Sequence, residues 1–342
     1  MPTIVDAAVL HKLDKQPRGG AAQLTERDAP LPLTQQVTDL VLAIDALYSQ
    51  KANKGYGRFE ADEVTYPASG LLRNLYSGQA TFIDTTHQLL RLLAQRANAQ
   101  PLSRGGYVLM AQLSGDQGAR WFQVAMINNV PGSAVNDQTL EVVDATHVDL
   151  DNLRVAGRVN VTSWLAPDDA SRYIGFLKQH GDVAEYFKSF LGCDDVVAPA
   201  KETKTLLTAL KTFAANQHMD AAQEEQFLRG AFNFCDERAQ AREPLSLEAL
   251  ANAMWPQAPE RLRETFANDQ IELSDNFVPD RRSLRSFVRI KAKNPNWALE
   301  LQRQALLTGD AVYDREHRTL ILQNLPADLV AELDREVAGG GV

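Results

Sequence analysis

The strongest constraint on what this chain can fold into is a change in the period of its apolar residues. Between Tyr107 and Val161 they fall into short runs punctuated by turn residues. Tyr107 to Leu113 and Arg120 to Val130 flank Ser114-Gly-Asp-Gln-Gly118, which predicts an antiparallel hairpin. Leu140 to Val143 and Val155 to Val161 read as further strands. Upstream, Val5 to Leu13 predicts a strand. Val37, Leu40, Val41, Ile44, Leu47 and Tyr48 then recur at helical spacing behind Thr34, and further helices are expected over Ala68 to Tyr76 and Gln79 to Asn98. Beyond residue 166 the helical period dominates: Ser171 to Lys178, Asp182 to Leu191, Thr203 to Asn216, Ala221 to Arg242, Ser246 to Met254 and Pro259 to Asn268. A strand from Trp297 to Gln302, a hairpin turning at Asp314-Arg-Glu-His317, a helix from Pro326 to Glu336 and a disordered glycine tail complete the expectation.

These patterns predict an α+β protein: an N-terminal domain, 1–165, with a mainly antiparallel sheet and packed helices, then a helix-rich C-terminal domain, 166–342, ending in a small antiparallel sheet. The boundary is expected at Ala166-Pro-Asp-Asp169. Composition adds exclusions. Only Cys193 and Cys235 are present, with no CxxC pair, which argues against a disulfide framework and a cysteine zinc site and suits a reducing cytoplasm. The first residues lack a cationic leader, and no apolar run approaches the roughly 18 residues of a membrane span. Neither export nor a membrane partner is expected.

Catalytic signatures are missing from the sequence. Leu113-Ser-Gly-Asp-Gln117 superficially matches a transporter ATPase signature, but the chain has no Gly-Lys dipeptide and so no Walker A cradle. The six histidines are scattered without metal-ligand spacing. Asp149 and Asp151 would share one face of a strand without the further partners of a nuclease site. No nucleophile elbow or dinucleotide fingerprint occurs. The reading is therefore non-enzymatic, with no catalytic residue, cofactor or metal assigned, and a metal-dependent DNA-processing activity stands as the weakest of the alternatives.

Two basic segments stand out from a formal net charge of −9. Arg281 to Lys293 holds six basic and no acidic residues. Wound as one helix, it gathers Arg281, Arg282, Arg285, Arg289 and Lys293 within about 120° of arc, opposite Leu284, Phe287, Val288 and Ile290. Asp280 is its expected N-cap, and Asn294-Pro-Asn296 its terminating turn. Lys51, Lys54 and Arg58, interleaved with Tyr48, Tyr56 and Phe59, form a second, weaker candidate contact around Gly55 and Gly57. Arginine forks suit phosphate oxygens, and cations grouped on one helix face favour backbone contact over base readout. The competing occupants of the main face are the upstream carboxylates Glu260, Glu264, Asp269, Glu272 and Asp275.

Four stretches carry a resemblance. Tyr48-Ser with Lys54-Gly-Tyr-Gly-Arg-Phe59, Leu150 to Arg158 followed by Trp164, Arg172-Tyr-Ile-Gly-Phe-Leu177 leading to Glu185 to Cys193, and Pro279-Asp-Arg-Arg-Ser-Leu-Arg285 together resemble the 37 kDa nucleoid-associated protein family of the YejK/NdpA type. The resemblance implies a cytoplasmic bacterial protein found with the nucleoid that binds DNA without a defined enzymatic activity. Together with the basic helix it leads us to expect double-stranded DNA, bound without strong sequence preference, as the partner. The alternative is an interaction module that reaches DNA indirectly through an acidic or DNA-processing nucleoid protein. A homodimer would double the cationic surface, although no heptad run marks an interface.

Overall fold

A computed structural model describes residues 2–166, 172–178, 182–194, 198–268 and 270–339. The chain order is β1 (Pro2–Asp14), β2 (Gln23–Thr25), α1 (Gln35–Gln50), β3 (Lys54–Gly57), α2 (Ala68–Tyr76), α3 (Phe82–Asn98), β4 (Gly106–Gly115), β5 (Arg120–Ile127), β6 (Asn129–Val135), β7 (Val142–Val148), β8 (Val155–Asn160), α4 (Val161–Leu165), β9 (Ile174–Leu177) and α5 (Asp182–Leu191). It continues with α6 (Pro199–Asn216), α7 (Ala221–Ala241), α8 (Leu247–Met254), α9 (Pro259–Ala267), α10 (Arg281–Val288), β10 (Arg289–Asn294), β11 (Trp297–Gln302), α11 (Ala305–Thr308), β12 (Ala311–Asp314), β13 (Thr319–Leu322) and α12 (Ala327–Gly339). The protein is α+β, with its large antiparallel sheet in the N-terminal part and small antiparallel sheets near the C-terminus.

Two compact units are present. The first comprises Met1–Ala198, Ser246–Ala251 and Gln257–Phe277; the second comprises Pro199–Leu245, Asn252–Pro256 and Val278–Val342. Of the boundary segment expected from sequence, Pro167, Asp168 and Asp169 lie outside the described residues, as do Gly340 and Gly341 of the tail.

The first unit is built on a seven-stranded sheet in the order β2-β1-β4-β5-β8-β9-β3, every neighbouring pair antiparallel. Because side chains alternate across a strand, β4 sends Val108 and Met110 to one face and Leu109, Ala111 and Leu113 to the other. The first face packs Leu89, Leu90 and Leu93 of α3 together with Phe187 and Phe190 of α5. The second packs Val41, Ile44 and Tyr48 of α1. Thr34 and Thr81 cap α1 and α3 by accepting the backbone N–H groups of Val37 and Asp84.

Three expectations are corrected. The segment expected as a helix over Ser171 to Lys178 is strand β9, with Ser171 itself outside the described residues. Ile174, Phe176 and Leu177 are all buried, because β9 lies inside the sheet and both its faces are covered. A continuous apolar run of that length does not distinguish helix from strand by period. Gly175 has a steric role: a Cβ there would stand 2.3 Å from Tyr48 Oη. Lys54–Gly57, read from the sequence as part of a basic contact around Gly55 and Gly57, is an edge strand paired with β9, and a Cβ on Gly55 would meet Phe176 Cζ at 2.7 Å. The strand expected at Leu140 to Val143 is instead Val142–Val148, paired with β6.

Charge is buried beneath α1. Arg158 of β8 and Asp45 of α1 form an ion pair at 2.5 Å, each side chain 7% exposed. Arg158 also donates to Ser49 Oγ at 3.3 Å and lies 5.0 Å from the Tyr48 ring centroid. Lys54 Nζ, 4.8 Å from that centroid, donates to the carbonyls of Ser49 and Ala267, both at 3.0 Å. Asp45→Ala takes a carboxylate out of this buried network and is expected to cost about 3–5 kcal/mol, read as a lower urea midpoint at unchanged slope.

His11 supplies a pH dependence. It is buried, accepts the Arg27 N–H at Nδ1 (3.1 Å) and sits 3.1 Å from Thr86 Oγ1 through Nε2, an arrangement that suits the neutral ring. Burial first, then the neighbouring His87, pushes its pKa down to about 4. Since the unfolded imidazole binds its proton near 6.5, this contribution to stability is complete above pH 6.5 and is lost as pH falls toward 4. Between pH 7 and 4.5 the wild type should lose roughly 2 kcal/mol more than His11→Asn in paired urea titrations.

Candidate nucleic-acid interface

Helix α10 is short but well fixed. Asp280 accepts the Ser283 N–H at 2.7 Å, a cap that holds its carboxyl below the usual carboxylate range, and its own N–H donates to Thr203 Oγ1 of α6 at 2.9 Å. Leu284 and Phe287 are fully buried, which leaves Arg281, Arg282 and Arg285 exposed on the other side. The amphipathic reading of these residues corresponds to the observed helix. It fails one turn later. Arg289 has φ −126° and ψ 148°, and Arg289 to Asn294 pair with β11 instead of continuing the helix. The strand supplies backbone partners that a helix running into Pro295 would lack, and it removes the conflict of placing Lys291 on the apolar arc. Asn294 Oδ1 accepts the N–H groups of Asn296 and Trp297, both at 2.9 Å, and turns the hairpin. Arg289 and Lys293 therefore sit on β10, not on the α10 face.

The face borders a cleft of about 490 Å³. One wall is Arg229, Asn233 and Asp236 of α7, which share a side at i, i+4 and i+7, and the other is Arg281, Arg285 and Arg289. Arg281 grips Asp236 with two bonds, Nε to Oδ1 at 2.8 Å and Nη2 to Oδ2 at 3.3 Å. That contact lowers the Asp236 pKa and raises that of Arg281. Arg229 pairs with Glu225 and also donates to Gln304 Oε1 at 3.0 Å. Glu300 on β11 pairs with Arg289 at 2.5 Å and Lys291 at 2.8 Å, and these cations, Lys291 foremost, bring its pKa down to about 2. Arg282, Arg285 and Lys293 are exposed and make no ion pair among the described residues.

Within the second unit, the carboxylates that pair with this face are Asp236 and Glu300. Glu260, Glu264, Glu272 and Asp275 belong to the first unit. There Glu272 receives Arg172, and Asp275 accepts the Leu247 N–H at 2.8 Å. Asp269 lies outside the described residues. Asp236 precedes Arg281 by 45 residues, so only the packing of α7 on α10 brings the two together.

The second basic segment is dispersed. Lys54 is withdrawn into the core beneath Tyr48 and presents no surface. Lys51 lines a separate cavity of about 500 Å³ with Arg154, Arg263, Glu260 and Glu264. Arg58 is half-buried, and its backbone N–H donates to Asp194 Oδ1 at 2.7 Å. Asp149 and Asp151 lie in a turn, where Asp149 binds the Asn152 amide groups at 2.9–3.1 Å. Burial pushes the Cys235 thiol up to about 12, which disfavours its thiolate. Among the described residues, no group of three His, Cys, Asp or Glu side chains could hold a metal ion, and no helix is long and apolar enough to cross a membrane.

Comparison with known proteins defines the class as a bacterial nucleoid-associated protein. The family model described as nucleoid-associated protein YejK matches residues 9–330. Nucleoid-associated proteins of Pseudomonas paraeruginosa and Pseudomonas aeruginosa are each 31% identical over 335 residues, 97% of this chain and 97% of theirs. One from Azotobacter vinelandii is 30% identical over 97% of this chain and 98% of its own. The chain belongs to the nucleoid-associated protein YejK family, whose place is the nucleoid in the bacterial cytoplasm.

The two sides of α10 should respond oppositely to mutation. Phe287→Ala is expected to cost about 3–5 kcal/mol through loss of buried contact. Arg285→Glu should change stability by less than about 0.5 kcal/mol, because the arginine is exposed. Thermal melts monitored by circular dichroism distinguish the two.

Proposed function

We propose that the α10 face binds the phosphate backbone of double-stranded DNA without strong sequence preference and without catalysing a reaction. The observation that carries this reading is that Arg282 and Arg285 project to solvent without an ion pair among the described residues, on a helix whose opposite side is locked into the core. A chain of net charge −9 otherwise repels a polyanion at long range. Within a Debye length of about 8 Å at physiological salt, however, the local cluster outweighs the remainder. Arg229, Arg281, Arg289 and Lys293 extend the cationic surface. The nucleoid association of the family supports DNA as the polyanion. Lys51 and Arg58 remain a secondary contact in this proposal, whereas buried Lys54 acts through the fold.

A second reading rests on the pairs already present. Asp236 and Glu300 occupy Arg281, Arg289 and Lys291, as an acidic protein partner could. In this reading DNA association is indirect. Exposed pairs of this kind contribute only about 0–1 kcal/mol, so phosphate can displace them, and direct binding is favoured.

Titration of fluorescent duplex DNA against protein over a range of salt tests both readings. With three to five phosphates neutralised, log K should fall with log salt at a slope of about −3 to −5. Arg281→Glu with Arg285→Glu should reduce affinity at least tenfold while the melting temperature stays within a few degrees. A wild-type slope near −1, or a double variant that binds as well as wild type, would sink direct backbone binding. Failure to bind DNA combined with recovery of a nucleoid protein on the same face would support the second reading.

A further inference from the structure

The cleft between α7 and α10 offers more than backbone contact requires. A duplex lies along a surface and meets it through phosphates, whereas a recess of about 490 Å³ falls within the roughly 300–1,000 Å³ of sites that enclose small molecules. Its lining belongs wholly to the second unit. Two kinds of chemistry meet there. Arg229, Arg281, Arg285 and Arg289 set four cations against one lining carboxylate, Asp236. Phe232, half-buried, and Val288 are its apolar members, and Asn233 and Gln302 contribute amides. The spacing of α7 accounts for the mixture: Arg229, Phe232, Asn233 and Asp236 recur at i, i+3, i+4 and i+7, so one helix face carries a cation, a ring, an amide and a carboxylate. Outside the lining, Glu225 pairs with Arg229 and Glu300 with Arg289. Arg281 is held by Asp236, which leaves Arg285 without an ion pair among the described residues.

We propose that this cleft binds a nucleoside polyphosphate, with the phosphates on its arginines and the base against Phe232. A bare inorganic anion would use the cations and leave the ring and Val288 idle. A base adds stacking on an aromatic side chain, which tolerates any base because each has a π-face. Asn233 and Gln302 each offer both a donor and an acceptor, so no single base is demanded. The charge also fits. A terminal phosphate carries about −1.5 to −2 at pH 7, so a polyphosphate concentrates on a few arginines what a duplex spreads along its backbone. Guanidinium forks supply the donors that a glycine-rich loop supplies elsewhere, and the missing Gly-Lys dipeptide is no obstacle. Asp236 holds Arg281 at an exposed pair, a weak tie that a phosphate can replace. Arg281 and Arg285 are also the proposed contacts to duplex DNA, so nucleotide and duplex compete for this face. That consequence alone rests on the DNA reading.

Isothermal titration calorimetry of the full chain with ATP, in EDTA and without DNA, provides the test. Saturable binding of one ATP per chain is expected with a dissociation constant below about 100 μM, weakening from ATP to ADP to AMP. Inorganic tripolyphosphate should bind at least tenfold more weakly than ATP. Arg285→Glu should weaken ATP at least tenfold. Asn233→Trp, at an exposed position in the lining, should do the same by filling the recess, yet leave duplex affinity within twofold. Arg282→Glu, exposed on α10 but outside the lining, should weaken the duplex and spare ATP. All three positions are exposed, and unchanged circular dichroism and melting would show each variant folded. Absence of ATP binding overturns the proposal, as does ATP binding that survives either Arg285→Glu or Asn233→Trp. Tripolyphosphate that binds as well as ATP reduces the cleft to a polyanion patch and equally overturns it. Release of labelled duplex by ATP reads the competition separately. ATP binding that both variants abolish, without release of duplex, would uphold the nucleotide site and count against DNA on the α10 face.

Discussion

The first unit depends on how it accommodates cations out of water. Arg158 and Lys54 approach the Tyr48 ring on the underside of α1, and a desolvated charge in such a place persists only if it is paired and hydrogen-bonded. Asp45 and Ser49 satisfy Arg158, while the carbonyls of Ser49 and Ala267 satisfy Lys54. These demands tie α1 to β8 in the sheet and β3 to the end of α9. They also account for the close contact of Tyr48 with Gly175, where no side chain could fit. Much of the segment pattern that resembles the family, Tyr48, Lys54 to Gly57, Arg158 and Arg172 to Leu177, is thus part of a buried polar framework.

The same rule explains why the second unit keeps its arginines outside. Helix α10 buries Leu284 and Phe287, its Asp280 cap fixes where it begins, and Arg281, Arg282 and Arg285 remain in water without a desolvation cost. Asp236 and Glu300 moderate that surface without neutralising it. Lys291 and Arg289 hold the Glu300 carboxyl well below the usual carboxylate range. The outcome is a group of exposed cations on one helix of a chain whose net charge is −9.

Legibility in the sequence followed the range of the interactions. The Thr34 and Asp280 caps, the α7 and α12 periods, the β4–β5 hairpin and the Asn294 turn are set by residues within a few positions of one another, and they occur within a few residues of where the pattern puts them. Strand β9 was not legible, since four apolar or small residues have no period and only their place between β8 and β3 makes them a strand. Nor was the change from helix to strand at Arg289, which depends on pairing with β11. For the candidate interface, the sequence located Arg281, Arg282 and Arg285 and missed Arg229, Asn233 and Asp236, whose spacing along α7 carries no sign that α10 lies opposite. Lys54 was misjudged as a surface group because its neighbours Tyr48 and Tyr56 look alike in sequence whether they stack in solvent or roof a core.

What the sequence determined by itself was the α+β class, the contrast between an acidic chain and one cationic helix, and the cap from which that helix starts. Each is a property of composition or of contacts along the chain. Tertiary structure alone decided which cations are buried and which carboxylates meet the exposed ones. Those outcomes depend on which elements share a boundary, and pairing free energy at such boundaries is set by distance and desolvation rather than by position in the chain.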